Sequence, residues 1–342
     1  MTGNTLGWVI VAFVLYLLMM IAIGAFYAKG NNNSEDYFLG GRKLNGFVAA
    51  LSAQASDMSG WLLMGLPGAI YLTGVGGDGW IAIGLFIGTT LNWLFIATKL
   101  RRYTIRANNS VTLPTYFENR FHDEKKVLMT VSSITIVVFF LVYCASALSA
   151  GGQLFESVFG IDYHVALTIG ALVVLVYTFL GGFTAVCVTD FIQGMLMLIG
   201  ILAVPLFAYH FLTTGGTTLS AGLEASGADS ANFLNLMKNG DGSNNIVSVI
   251  SGLGWGLGYF GMPHILVRFM AVRDEKEMTK SKATAISWVA LSLGFAVFIG
   301  ILGRAYLPEL VNGNNEKVFI EMIKKVFTVE MREIGRASCR ER

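Results

Sequence analysis

Charged residues are scarce in this chain of 342 residues. Asp, Glu, Lys and Arg together make up 13% of the sequence, whereas about 25% is typical of soluble domains. The hydrophobic fraction is 54% and the mean hydropathy is +0.61. This composition excludes an ordinary water-soluble enzyme and a disordered protein. The formal net charge of +2 gives no basic surface of the kind that binds nucleic acid, so we expect no nucleic-acid partner.

Cysteine and proline are rare as well. The three cysteines, Cys144, Cys187 and Cys339, form no CxxC pair, and they therefore predict neither a disulfide framework nor a cysteine metal site. Five prolines stand against forty glycines, a balance that suits helices packed closely in lipid, where small residues let two backbones approach. The sequence is typical of an all-α polytopic membrane protein that is surrounded by the lipid bilayer.

A helix needs about 20 mostly apolar residues to cross a bilayer, and eight stretches of the chain meet or nearly meet that length. They lack the alternation of apolar and polar residues that marks the strands of a membrane barrel. We therefore predict eight transmembrane helices, at 6–28, 47–72, 80–100, 127–151, 165–180, 183–212, 246–270 and 283–307. A further, amphipathic helix is predicted at 316–330.

Lys and Arg are concentrated in the segments that follow spans one, three and seven. The segments 73–79 and 152–164 contain neither residue, and 213–245 contains only Lys238. By the positive-inside rule, the connections from odd to even spans are cytoplasmic and the N-terminus lies outside.

Few ionisable residues lie inside the predicted spans: Asp57 in span two, Asp190 in span six and His264 in span seven. Because charge inside a bilayer is costly, such residues are candidates for function. Asp190, about two turns inside its span, is expected to have either a structural or a gating role. Arg268 and Arg304 lie near span ends, where we expect their side chains to snorkel toward the interface.

Asp57 lies in a run of small and hydroxyl-bearing residues inside an otherwise apolar span. Together with Gly60, Gly65 and Pro67, these residues disfavour a regular helix. A broken helix frees carbonyl oxygens, which suit a hard cation that prefers oxygen ligands. The alternative is that Asp57 pairs with Arg42 or with a backbone amide and only stabilises packing.

Span seven is rich in glycine and aromatic residues. Residues 256–261 match GxGxxG, but a dinucleotide-binding loop needs a preceding strand, so we discard that interpretation. Trp255, Tyr259 and Pro263 recur at i, i+4 and i+8, on one face of an α-helix, where they could enclose a small, partly apolar ligand. The alternative is ordinary helix packing through small residues. Tyr143 in span four either offers its hydroxyl to such a pocket or packs.

Several strings in the chain identify a family. Residues 36–42 read DYFLGGR and residues 50–69 read ALSAQASDMSGWLLMGLPGA; the others are YCAS at 143–146, YTFLGG at 177–182 and GWGLGYFGMPH at 254–264. They resemble the sodium:solute symporter family, and the similarity runs from about residue 6 to about residue 327. The resemblance implies a LeuT-type fold, in which an extra N-terminal helix precedes two inverted five-helix repeats. It also implies alternating-access uptake of L-proline, with Na+ as the coupling ion, no other cofactor and no catalytic residue, in the inner membrane of a bacterium.

The resemblance further implies roles for single residues. The sodium-binding residues are Ala55 and Met58, through their carbonyls, and Asp57; the substrate-binding residues are Ser59, Gly60, Tyr143, Trp255, Tyr259 and Pro263; the coupling or gating residues are Arg42 and Asp190. Met262 departs from the family, in which glutamine is frequent at this position.

The family places further sodium ligands on a helix beyond the eighth span. On this reasoning we expect the second repeat to be incomplete and the 342-residue chain not to transport by itself. We interpret residues 1–332 as a single transmembrane transporter domain. Residues 333–342 are interpreted as a non-native tail, because their possible codons match a sequencing adapter.

Two alternatives to proline transport remain at this point. The chain could carry another small solute, such as pantothenate, acetate or a sugar, or it could be a transporter-like membrane sensor. A membrane enzyme is disfavoured, because the sequence contains no HExxH motif and its four histidines are not in ligand spacing. No obligate protein partner is indicated.

Overall fold

The computed structural model describes residues 3–30 and 32–326. Over these residues the chain is helical, and it contains isolated β-bridges but no β-strand. The α-helices are α1 (Gly3–Ala28), α2 (Ser34–Leu39), α3 (Gly46–Gly60), α4 (Leu66–Thr73), α5 (Val75–Leu91), α6 (Ala97–Arg106), α7 (Leu113–Phe121), α8 (Val127–Phe159), α9 (Tyr163–Thr214), α10 (Leu219–Ala225), α11 (Ser230–Phe233), α12 (Ile246–Trp255), α13 (Pro263–Ala271) and α14 (Glu275–Tyr306). π-Helical segments follow α3 and α5, at Trp61–Gly65 and Asn92–Ile96.

The predicted amphipathic helix is present over 318–326. Its residues 327–330 and the predicted tail at 333–342, with Cys339, lie outside the described residues. Short 3-10 helices occur at Gly40–Arg42, Gly256–Gly261, Pro308–Asn312 and Asn315–Lys317.

Five of the described helices are long and apolar enough to cross a membrane, or six if the broken pair around Met262 is one span. The count differs from the eight predicted spans in two places. Predicted span two is not one regular helix, and predicted spans five and six both lie in α9. Helix α9 is 52 residues long, about 78 Å if it were straight, against a hydrocarbon core of about 30 Å. It breaks at Gly182 (φ 59°, ψ −159°), between predicted spans five and six.

Predicted span two is built from α3, a π-helical segment and α4, so it is not one regular helix. The break predicted beside Asp57 is confirmed: Ser59 has φ 42° and ψ −152°. A positive φ at a residue other than glycine is energetically unfavourable. Surrounding structure must therefore stabilise this conformation.

Predicted span seven is also interrupted. Helix α12 ends at Trp255, a 3-10 helix follows, and Met262 is extended (φ −77°, ψ 107°). The placement of Trp255, Tyr259 and Pro263 on one α-helical face is therefore wrong, because a 3-10 helix has three residues per turn rather than 3.6. The GxGxxG match follows a helix, which agrees with its exclusion as a dinucleotide loop.

The chain divides into two compact units. The first unit comprises Met1–Asp57, Trp93–Gly194 and Gly261–Ala285; the second comprises Met58–Asn92, Met195–Phe260 and Ile286–Arg342. That all of this forms a single transporter domain stays a prediction.

In the first unit, α1 packs closely against α9, because Gly24 lies next to the backbone of Tyr177. Helix α6 packs against α13, and near it the ring of Trp93 lies edge-on to Phe269, with centroids 4.4 Å apart. The linker before α3 pairs with the end of α13 through a bridge between Leu44 and Val272. These contacts fix the ends of the helices that carry Asp57 and His264.

In the second unit, α5 packs along α12 through glycines on both helices. A Cβ atom added to Gly84 or Gly88 would collide with the backbone of Gly252 or Gly256. This close approach allows backbone-to-backbone packing, as small residues do in membranes.

We expect Gly252→Ala to destabilise the protein. Its Cβ would lie 2.6 Å from the carbonyl carbon of Trp80, and such overpacking costs about 1–3 kcal/mol. Gly254→Ala is the matched control, because a Cβ there meets nothing within 4 Å and alanine favours a helix over glycine. The measurement is the melting temperature in detergent, and equal effects of the two substitutions would contradict the glycine contact.

Candidate functional site

A buried polar cluster lies on α3 in the first unit. Oδ2 of Asp190, from α9, accepts hydrogen bonds from Ser52 Oγ at 2.7 Å and from Ser56 Oγ at 2.9 Å. The two serines lie four residues apart and therefore on one face of α3. Arg268 Nη2, from α13, donates to the same Asp190 oxygen at 2.8 Å. Three helices thus meet at one carboxylate oxygen.

Arg268 does not snorkel, so that expectation is wrong. The residue is only 5% exposed, and besides Asp190 its guanidinium donates to Ser52 Oγ (2.9 Å), Ser56 Oγ (2.7 Å) and the His264 carbonyl (2.5 Å). A buried guanidinium needs a counter-charge and a full set of acceptors. Asp190 provides the counter-charge, and the contacts occupy four of the five N–H groups, so the guanidinium is bound inside the protein.

Asp57 faces His264 rather than Arg42. The distance from His264 Nε2 to Asp57 Oδ1 is 3.9 Å, and their side chains are 12% and 7% exposed. The contact is an ion pair only when the imidazole is protonated. Neither ring nitrogen of His264 has a hydrogen-bond partner in the described part of the chain. Arg42 donates its hydrogen bonds in a separate cluster, and the role of Asp57, in ion binding or in packing, stays a prediction.

Tyr143 connects this contact to the turn before the helix break. Its hydroxyl donates to the Ser56 carbonyl at 2.7 Å, and its ring stacks on His264 with centroids 5.5 Å apart. Phe140 packs edge-on to the same imidazole, at 5.4 Å, and lies 5.6 Å from the Tyr143 ring. The Tyr143 hydroxyl is therefore a hydrogen-bond donor to span two and not only a packing group.

Arg42 lies in a separate cluster ahead of α3. Its guanidinium donates to Asn109 Oδ1 (3.0 Å), Thr104 Oγ1 (3.3 Å), the Met270 carbonyl (2.8 Å) and the Ser110 carbonyl (2.9 Å). The residue is 8% exposed, and burial lowers the pKa of its guanidinium, although Glu35 at 3.4 Å opposes that shift. Gly40 and Gly41 before it have φ 59°, a turn that glycine permits. Arg42 thereby ties the start of span two to α6 and α13.

Ala55 and Pro263 also belong to the first unit. Ala55 lies against α9, since a Cβ at Gly194 would be 3.3 Å from the Ala55 Cβ. Pro263 begins α13 directly after the extended Met262, a position that suits proline because the first helical N–H needs no partner.

The remaining candidates lie in the second unit. Met58 is 1% exposed. Ser59 forms the helix break, and Gly60 follows it with helical dihedral angles. Trp255 is half exposed, and its ring stacks on that of Trp61 with centroids 5.8 Å apart. Tyr259 is 3% exposed, and its carbonyl accepts a hydrogen bond from Asn92 Nδ2 at 2.8 Å.

Sequence reasoning missed four of these participants: Arg268, Ser52, Trp61 and Asn92. A signal existed for Arg268, because a basic residue in span seven and an acidic one in span six are natural partners in lipid. A signal also existed for Trp61, because it lies two residues after Ser59, beside the break that was predicted from the sequence. Asn92 gave no signal, since its partner is a backbone carbonyl.

The fold is that of a membrane transporter. A solved structure described as the substrate-bound outward-open state of a Na+-coupled sialic acid symporter matches with a TM-score of 0.72 and 21% identity, covering 89% of this chain and 64% of that one. The all-α, LeuT-type fold predicted from the sequence is confirmed.

A family model then identifies the chain more closely: that of the sodium:solute symporter family matches residues 37–337. The chain belongs to the sodium:solute symporter family, which is a family of transporters and not an enzyme class.

Curated relatives are similar across most of the chain. It is 45% identical over 324 residues to the sodium/proline symporter of Salmonella typhimurium, 44% identical over 324 residues to that of Escherichia coli and 42% identical over 320 residues to that of Staphylococcus aureus. Each match covers 93% of this chain. The chain spans 60–63% of the length of these relatives.

Arg268→Met should destabilise the protein by about 3–5 kcal/mol, because it leaves the Asp190 carboxylate buried without its cation. Adding Asp190→Asn should restore part of that loss, and melting temperatures in detergent measure both effects. Arg273→Met is the control, since this arginine is 57% exposed and should cost less than about 1 kcal/mol. Equal losses for Arg268→Met and Arg273→Met would show that the buried pair does not stabilise the unit.

Proposed function

We propose that this protein is a secondary transporter in which Na+ moving down its gradient drives the uptake of L-proline by alternating access. The observation that carries the proposal is the break in span two at Ser59. The residues assigned to the ion precede this break. Of the residues assigned to the substrate, Ser59 forms the break and Gly60 follows it directly. The similarity to proteins named sodium/proline symporters supports the choice of solute.

The ion half of the proposal rests on Ala55, Asp57 and Met58. A helix break leaves carbonyls of the preceding turn without their helical donors, and Na+ is a hard cation that prefers oxygen ligands. We assign the Ala55 and Met58 carbonyls as ligands and Asp57 as the carboxylate that attracts the ion. One charge moving across ~100 mV releases ~2.3 kcal/mol, which is enough for about 50-fold accumulation.

The substrate half of the proposal rests on the chemical groups of proline, which has a carboxylate, a secondary ammonium and an apolar ring. We assign the proline carboxylate to the backbone N–H groups that follow the break at Ser59. The N-terminus of a half-helix favours a carboxylate. The stacked faces of Trp61 and Trp255 suit both an apolar ring and a cation. We retain Tyr143, Tyr259 and Pro263 as further proposed substrate contacts.

Arg42 and Asp190 have the proposed coupling and gating roles. Asp190 and Arg268 bind Ser52, which precedes the ion-binding turn of α3, and Ser56, which lies within it. A change in this cluster would therefore move that turn. Arg42 holds the start of the same helix through Met270 of α13. We propose that both clusters rearrange during the transport cycle.

The proposed location is the plasma membrane of a bacterium, with several crossings and the N-terminus outside. The distribution of Lys and Arg along the sequence supports this orientation. The proposed cycle needs no catalytic residue and no cofactor other than Na+ as the coupling ion.

The test is uptake of labelled proline into proteoliposomes under an inward Na+ gradient. It uses the 342-residue chain and a chimera in which the C-terminal part of the Escherichia coli relative follows residue 326. We expect proline accumulation in at least one form, lost when the Na+ gradient is collapsed. Pantothenate, acetate and a sugar are the competitors, and uptake of one of these instead of proline, or uptake without Na+, would contradict the proposal.

Asp57→Asn should raise the Na+ concentration needed for half-maximal proline uptake by tenfold or more, about 1.4 kcal/mol, while the amount of protein in the membrane is unchanged. The charge is lost but the side-chain volume is kept. Asp78→Asn is the control: this half-buried carboxylate at the start of α5 accepts a hydrogen bond from Thr73 and has no proposed ion role. An unchanged Na+ dependence of Asp57→Asn would rule out a role for Asp57 in ion binding.

A further inference from the structure

We infer that Asn92 is a positioning residue that sets the place of Tyr259 and thereby the selectivity for ring size of the transported solute. The inference rests on the proposed function, because it assumes that Tyr259 contacts the substrate. It concerns only the second unit, which contains both residues.

Asn92 is completely buried, and its side-chain amide donates to the Tyr259 carbonyl at 2.8 Å. It begins the π-helical segment that follows α5, and such segments are frequent at functional sites. Its Oδ1 has no hydrogen-bond partner in the described part of the chain. With the amide reversed, two oxygens would face each other, so only the present orientation gives a favourable contact.

The Tyr259 carbonyl accepts this bond within the interrupted part of span seven. Tyr259 lies in the 3-10 helix Gly256–Gly261, three residues before the extended Met262. A hydrogen bond from a neighbouring helix stabilises such a segment of backbone. Asn92 thus holds the segment that carries the Tyr259 ring.

The reach of Asn92 depends on the glycine packing of α5 against span seven. One turn before Asn92, a Cβ on Gly88 would collide with the backbone of Gly256. At this separation a side chain as short as asparagine spans the gap between the helices. Because Tyr259 is itself 3% exposed, its ring has little freedom once the carbonyl is held.

Asn245 provides a matched control in the same pair of helices. It is also buried, at 3% exposed, and its Nδ2 donates to the carbonyls of Gly76 and Leu236, each at 2.8 Å. It therefore makes the same kind of bond at the other end of α5 and α12, away from Tyr259. A loss of helix packing alone should affect both variants in the same way.

The experiment compares Asn92→Ala and Asn245→Ala for proline uptake and for inhibition by azetidine-2-carboxylate and pipecolate, which have four- and six-membered rings. For Asn92→Ala we expect the proline KM to rise about tenfold, as loss of one buried hydrogen bond implies, with kcat changed less than about threefold. The preference for proline over the two other rings should shrink. For Asn245→Ala, KM and ring preference should stay unchanged even if the melting temperature falls.

A common fall in kcat with unchanged KM and ring preference in both variants would overturn the inference and leave the proposed function intact. Absence of Na+-driven proline uptake by both the 342-residue chain and the chimera would overturn the proposed function and the inference with it. If Asn92→Ala does not accumulate in the membrane, Asn92→Ser is measured against the same criteria. Serine keeps a polar group there but is too short to reach the Tyr259 carbonyl.

Discussion

The ion pair between Asp190 and Arg268 determines how the first unit can hold a broken helix in a membrane. Both residues are buried, and a single Asp190 oxygen accepts hydrogen bonds from Arg268, Ser52 and Ser56. Either charge alone would be strongly unfavourable in lipid, and the paired charges connect α3, α9 and α13. The turn of α3 that precedes the break at Ser59 is thus fixed from outside the helix.

The contacts beyond this pair follow from the freed backbone of the two broken spans. In span two the Ser56 carbonyl accepts from Tyr143, whose ring stacks on the His264 imidazole beside Asp57. In span seven the Tyr259 carbonyl accepts from Asn92. Each interruption is stabilised by a side-chain donor from a neighbouring helix, which is the condition for irregular backbone inside a membrane.

Much of this arrangement could be predicted from the sequence. The length of an apolar stretch and a run of small residues both determine the structure of the segment in which they occur. The helical stretches and the break beside Asp57 followed from such signals, whereas the family followed from the resemblance of longer sequence strings. The prediction that Trp255, Tyr259 and Pro263 share one helical face was wrong, since nothing in their spacing revealed a 3-10 helix. The burial of Arg268 and the capping by Asn92 depend on partners 78 and 167 residues away in the chain, and no local pattern encodes them.

Under the proposed function, Na+ and proline bind on the two sides of one helix break and therefore assist each other. The most direct measurement is the affinity for each ligand with and without the other, in purified protein. Linkage requires that saturating Na+ lower the proline Kd by the same factor by which saturating proline lowers the Na+ Kd. We predict a factor well above one in both directions. A proline Kd that does not change with Na+ would contradict the account.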